Sequence, residues 1–132
     1  MERVVITGMG VVAPSGSDLP AFKTALREGK SGVTANPEMA ERNMNCRIAG
    51  IPARNPALER ELFTEEDLRG MNSNMIYGGT AALSCWRDAG LGLKGDRANS
   101  VDWDTGAIIG SIGGGLDTVA HMVHMVDQNK GR

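Results

Sequence analysis

The sequence predicts an α/β fold, and three observations predict it. Two short apolar runs rich in β-branched residues and glycine, "RVVITGMGVV" from Arg3 and "TGAIIGS" from Thr105, read as strands. Segments starting near Asp18, Ser73 and Leu116 carry apolar residues at spacings of three and four and read as helices. Along the chain these fall in the order strand, helix, loop, helix, strand, helix, the ordering of helices laid against a sheet. A chain of 132 residues holds one domain at most.

Taken in order, Arg3 to Val12 is apolar on both faces and predicts an interior strand. Pro14 to Asp18 is turn chemistry, with Ser17 or Asp18 placed to cap a helix that Gly29 stops. Phe22, Ala25 and Leu26 give that helix its apolar stripe. From Asn36 to Arg60 three prolines and mixed polarity predict a long ordered loop, with a short strand at Cys46 to Ile51. Thr64 opens "TEED", a capping-box start to a short helix. Ser73 to Ala89 is the strongest helix, with Met75, Gly79, Ala82 or Leu83, and Trp86 on one face and Gly90 as its stop. Gly78 and Gly79 lower its helix propensity, which points to a backbone packed closely there. "LGLKGDRANSVDWD" is a connecting loop. After the second strand come Gly113, Gly114 and Gly115, and then a helix from Leu116 to Gln128 with Val119, Met122, Val123 and Val126 in register, ending before "NKGR".

Composition narrows the function classes. Glycine stands at 18 and aromatics at 4%, so small and aliphatic side chains fill the interior and backbones approach one another. Net charge is −2 with Lys and Arg scattered, which argues against a nucleic-acid partner. Cys46 and Cys85 have no metal-type spacing and no secretory leader precedes them, which fits a reduced, cytoplasmic protein. The longest uncharged stretch, Thr105 to Leu116, is too short and too glycine-rich to span a bilayer, so no membrane role is expected.

Four patterns invite a chemical reading, and each has a plainer one. Gly8, Gly10 and Ala13 satisfy a loose G-x-G-x-x-[G/A] dinucleotide pattern after a strand. The helix, however, starts only near Asp18, so no helix N-terminus faces a pyrophosphate at the glycines. "GSIGGG", Gly110 to Gly115, has the glycine spacing of a phosphate loop, but Leu116 and Asp117 stand where lysine and a hydroxyl residue are required. His121 and His124 share a helix face without a third metal ligand, so no metal is expected. Cys85 lies in mid-helix beside Trp86, and Cys46 has no nucleophile signature; packing explains both.

Four segments, "RVVITGMGVVAPSGSD", "FKTALREGKSGV", "YGGTAALSCWRDAGL" and "TGAIIGSIGGGLDT", resemble in order and spacing the amino-terminal part of the β-ketoacyl-acyl carrier protein synthases. The resemblance runs over essentially the whole chain. It implies a thiolase-like fold, layered α/β/α/β/α with a mixed sheet, in which the first segment is a central strand and its glycines allow tight packing. It implies a decarboxylative Claisen condensation in fatty-acid or polyketide synthesis: an acyl group on a cysteine thiol is attacked by the carbanion left when malonyl-acyl carrier protein loses carbon dioxide. The implied partners are acyl carrier protein, a second subunit in a homodimer or ketosynthase heterodimer, and the remainder of the same polypeptide; no cofactor is implied.

The family's catalytic cysteine motif, its two histidine motifs and its lysine have no match in this span. Cys85, His121 and His124 do not take their places, so residues 1–132 are expected to be an incomplete domain, inactive alone. Family chains are roughly three times longer, closing a core that an early third cannot close. One residue carries a role across: Gly113 aligns with the position at the floor of the acyl pocket, where a bulky side chain shortens the pocket in some members. Glycine there for backbone packing alone is the plainer reading. A chain-length-factor partner subunit, which shares these segments without the cysteine, is the alternative function.

Overall fold

The computed structural model describes residues 3–92 and 104–128. Most of the connecting loop expected after Leu91, and the "NKGR" end, lie outside the described residues. Local chemistry places the helices. Helix α1, Leu19–Arg27, starts where the Asp18 carboxylate accepts from the Ala21 N–H at 2.8 Å. Helix α5, Ser73–Asp88, is capped by Asn72 accepting from Met75 at 3.0 Å; the last helix, numbered α6 below, runs Leu116–Asp127. Gly29 and Gly90, at φ +62° and +74°, end α1 and α5, with Lys30 and Leu91 N–H groups reaching back to the Ala25 and Trp86 carbonyls.

The region expected as a long loop holds more structure. Strand β1, Val33–Ala35, pairs antiparallel with β2, Ile48–Gly50, with Thr34 opposite Ala49. Between and after them stand α2, Pro37–Glu41, and α3, Pro56–Leu62. Each opens with Asn then Pro. The Asn36 and Asn55 side chains accept from Met39 and Leu58, while a proline at the first helical position lacks only an N–H that would be unpaired anyway. Proline here begins helices. Helix α4, Glu65–Gly70, has the expected capping box: Thr64 Oγ1 accepts from Asp67 N–H at 3.1 Å, and Asp67 accepts from Thr64 N–H at 3.0 Å.

The buried centre lies where α3 meets α5. Among the described residues Leu62, Phe63 and Ile76 are the apolar side chains buried there, joined by Glu59 and Thr80, and Ala25 of α1 is buried as well. The face of α5 that is buried is thus shifted by one residue from the expected one: Ile76 and Thr80 turn inward and Met75 is 51% exposed. Gly79 of the expected face is covered, by the ring of Phe63 at the end of α3: a Cβ there would lie 2.9 Å from Phe63 Cζ, whereas none of the described residues approaches Gly78. Leu26 of the expected α1 stripe is likewise exposed. Glu59 is held by bidentate Arg54, and Arg87 bonds Glu61 at 2.8 Å, tying α5 to α3 a second time.

The two runs expected as strands are not paired as such. Arg3 to Val12 and Thr105 to Ser111 carry no ladder among the described residues, and Ala13 and Gly16 form only an isolated bridge. Val4, Ile6, Ile108 and Ile112 are exposed by 87% or more. Their residue types suit an interior strand, but a strand also needs a neighbouring backbone, and none of the described residues supplies one.

What the first run does have is a helix beneath it. A Cβ at Gly8 would overlap the Cys85 carbonyl oxygen and lie 2.6 Å from Ala89 N; at Gly10 it would overlap the Ala81 carbonyl oxygen and lie 2.7 Å from Cys85 N. Two residues of extended chain advance about 6.7 Å. Four residues of α-helix rise about 6 Å. The "GMG" step therefore matches one turn of α5, and the run lies antiparallel along it, backbone on backbone, with Met9 N–H donating to Asp88 at 2.8 Å. The glycines alternate onto one face because side chains in extended chain do.

Candidate functional site

The turn from Gly110 to Gly115 leads into α6 and carries the residue singled out for a binding role, Gly113. Gly113 and Gly115 take φ of +67° and +83°, a region where a side chain is strained, so the turn is written for glycine at both positions. A Cβ on Gly113 would meet only Leu116 Cδ1, at 3.3 Å. No other described residue comes within contact of that position, unlike those at Gly8 and Gly10.

The turn is held from outside by the start of α5. Ser73 donates both its N–H, at 2.9 Å, and its hydroxyl, at 2.6 Å, to one oxygen of the Asp117 carboxylate. Asn74 Nδ2 donates to Ser111 Oγ at 3.3 Å, so both flanks of the turn are bonded to consecutive residues. Asp117 sits in the first turn of α6 and at the amino end of α5, where two helix dipoles favour negative charge. Donation by the Ser73 hydroxyl, then by its N–H, holds the Asp117 carboxyl below its ordinary pKa. Sequence reading missed this trio. Each residue had a local signature, Ser73 and Asn74 after a capping Asn72 and Asp117 in a first helical turn, but their meeting spans 44 residues.

The other candidates are not brought together. Cys85 sits under Gly8 and Gly10, beside a shallow apolar groove with Met9, Val11 and Phe22. Cys46 is exposed and its thiol donates to the Ile48 carbonyl at 3.6 Å. His121 and His124 are exposed on α6, and His124 pairs with Gln128 at 2.6 Å. Among the described residues no three His, Cys, Asp or Glu side chains are grouped to hold a metal ion, and no helix is long and apolar enough to cross a membrane. The space a phosphate would need at Gly8 and Gly10 is filled by the backbone of α5.

Comparison with known proteins gives the frame for this turn. The chain is 33% identical over 118 residues to 3-oxoacyl-[acyl-carrier-protein] synthase 2 of Vibrio harveyi, covering 89% of this chain and 27% of that protein. It is 32% identical over 115 residues to 3-oxoacyl-[acyl-carrier-protein] synthase 1 of Escherichia coli (strain K12), covering 86% of this chain and 27% of that protein. Synthase 1 of Haemophilus influenzae is 32% identical over 116 residues, covering 84% of this chain and 26% of that protein. The chain thus spans about a quarter of the length of these curated relatives. The family model described as beta-ketoacyl synthase, N-terminal domain, matches residues 1–131, and on that match the chain belongs to the beta-ketoacyl synthase family.

Proposed function

We propose that residues 1–132 are the amino-terminal part of a 3-oxoacyl-[acyl-carrier-protein] synthase domain, in which this span builds one wall of the acyl pocket and other residues supply the nucleophile. The family match over 1–131 carries the reading. The reaction is a decarboxylative Claisen condensation: an acyl thioester on an enzyme cysteine is attacked by the carbanion formed as malonyl-acyl carrier protein loses carbon dioxide, and the thiol is the leaving group. The partners on this reading are acyl carrier protein and a second subunit. In the complete domain Arg3 to Val12 and Thr105 to Ser111 become strands of a layered α/β/α/β/α sheet, which gives their apolar side chains a use that exposure does not. All the relatives named above are synthases, and nothing in them favours a non-catalytic partner subunit.

Within this reading Gly113 floors the acyl channel, supported by the room around it among the described residues and the glycine-only turn. The test is the full-length synthase with Gly113→Trp, assayed on acyl primers of graded length. Longer primers are expected to be lost while short ones are still elongated. Because φ at Gly113 is +67°, any side chain strains the turn, so Gly113→Ala is the control for strain without bulk. Equal chain-length profiles in wild type and Gly113→Trp would sink the assignment.

A further inference from the structure

We propose that Ser73, Asn74 and Asp117 are positioning residues that clamp the Gly113 turn onto the amino end of α5, and that this clamp sets how sharply the enzyme discriminates acyl length. The inference rests on the reading of Gly113 as part of the acyl channel and adds what holds that wall in place.

The geometry points to a clamp in three ways. The bonds are non-local, joining residues 44 and 37 apart in sequence. They bracket the turn, with Ser111 bonded on one side of Gly113 and Asp117 on the other. Between them, Gly114 and Gly115 lie against the Asn74 and Asn72 amides, at 3.4 and 3.5 Å from where their Cβ atoms would stand. A turn with two residues at positive φ has few side-chain contacts of its own, and α6 has no side-chain cap at Gly115, so its position depends on these outside bonds. A wall discriminates length only as well as it is fixed, since a wall that yields admits the longer chain at little cost.

The test uses the full-length synthase and the ratio of kcat/KM for a long acyl primer to that for a short one. Ser73→Ala is expected to change that ratio about fivefold, as for one lost exposed hydrogen bond, and Asp117→Ala by more, since it removes the Ser73 N–H bond as well. The double variant should change it no more than Asp117→Ala does, because that variant already removes the hydroxyl bond that Ser73→Ala removes. Ser73→Thr keeps hydroxyl and N–H and should restore the wild-type ratio. General destabilisation lowers both specificity constants together and leaves the ratio alone. If Asp117→Ala does not accumulate as folded protein, Asp117→Asn, which keeps an acceptor oxygen without the charge, takes its place and should give a smaller change of the same sign. An unchanged ratio in these variants, or effects of Ser73→Ala and Asp117→Ala that simply multiply, overturns the clamp. If Gly113→Trp shifts the profile while the clamp variants do not, the clamp alone fails; if Gly113→Trp is silent, the pocket reading fails and the clamp with it.

Discussion

Replacing Gly10 by alanine adds one methyl group where two backbones meet, and the structure gives the scale of the conflict. The new Cβ would overlap the Ala81 carbonyl oxygen and stand 2.7 Å from Cys85 N, about 0.7 Å inside ordinary contact. Neither neighbour is a side chain that can swing aside, so either the run from Arg3 moves off α5 or the helix bends. Overpacking of this kind costs about 1–3 kcal/mol, and with backbone on both sides the upper value applies. Gly78→Ala makes the same chemical change one helix turn from Ala82, at an exposed site with nothing within 4 Å, and should stabilise by about 0.5–1 kcal/mol through helix propensity. Urea unfolding of the two variants beside the parent, followed by circular dichroism, gives the comparison; midpoints should move in opposite directions at an unchanged slope. If Gly10→Ala is as stable as the parent, the run does not lie on α5 as described, and the account of "GMG" is wrong.

Two further predictions concern the α3 and α5 contact. Glu59 is 3% exposed and its carboxyl is held below the ordinary range by the Arg54 guanidinium that bonds it, an effect larger than the opposing one of burial. A depressed folded pKa means the pair's contribution is complete above the unfolded carboxylate pKa and is lost as pH falls through the lower folded value. Glu59→Gln should therefore cost about 2 kcal/mol near neutrality, below the usual range for a fully buried pair because the Arg54 side chain is 46% exposed, and its cost should shrink in acid. Thermal unfolding across pH 2 to 7 would show the two curves converging at the acid end, and parallel curves would count against the pair. Thr80 Oγ1 is buried with no hydrogen-bond partner among the described residues, so Thr80→Val, nearly the same shape, should raise stability by about 1 kcal/mol; a loss would mean the hydroxyl is bonded after all.

The parts of this fold legible in the sequence are those whose cause is local. Asp18, Thr64 and Gly90 start or stop helices through atoms within five residues, so their chemistry could be read in one dimension. The same rules mislead at Pro37 and Pro56, where proline reads as a breaker although the preceding asparagine makes it the first residue of a helix. The covered face of α5 has a different origin: the helical period fixes which residues share a face, and the packing of α3 against α5 decides that Ile76 and Thr80 are covered and Met75 is not. Gly8 and Gly10 show the limit most clearly. Their spacing of two says that both point the same way in extended chain, and no more. What makes them glycine is the end of α5 from Ala81 to Ala89, more than seventy residues on, where each four-residue step rises by about the advance of that spacing. Asp117 repeats the case, since a carboxylate in a first helical turn is ordinary for its own helix and gains its second role only because Ser73 lies across from it. In both places a residue's second role is defined by a partner helix, which is why the dinucleotide-like spacing of Gly8 and Gly10 has a packing cause: the backbone of α5 fills the space beside them.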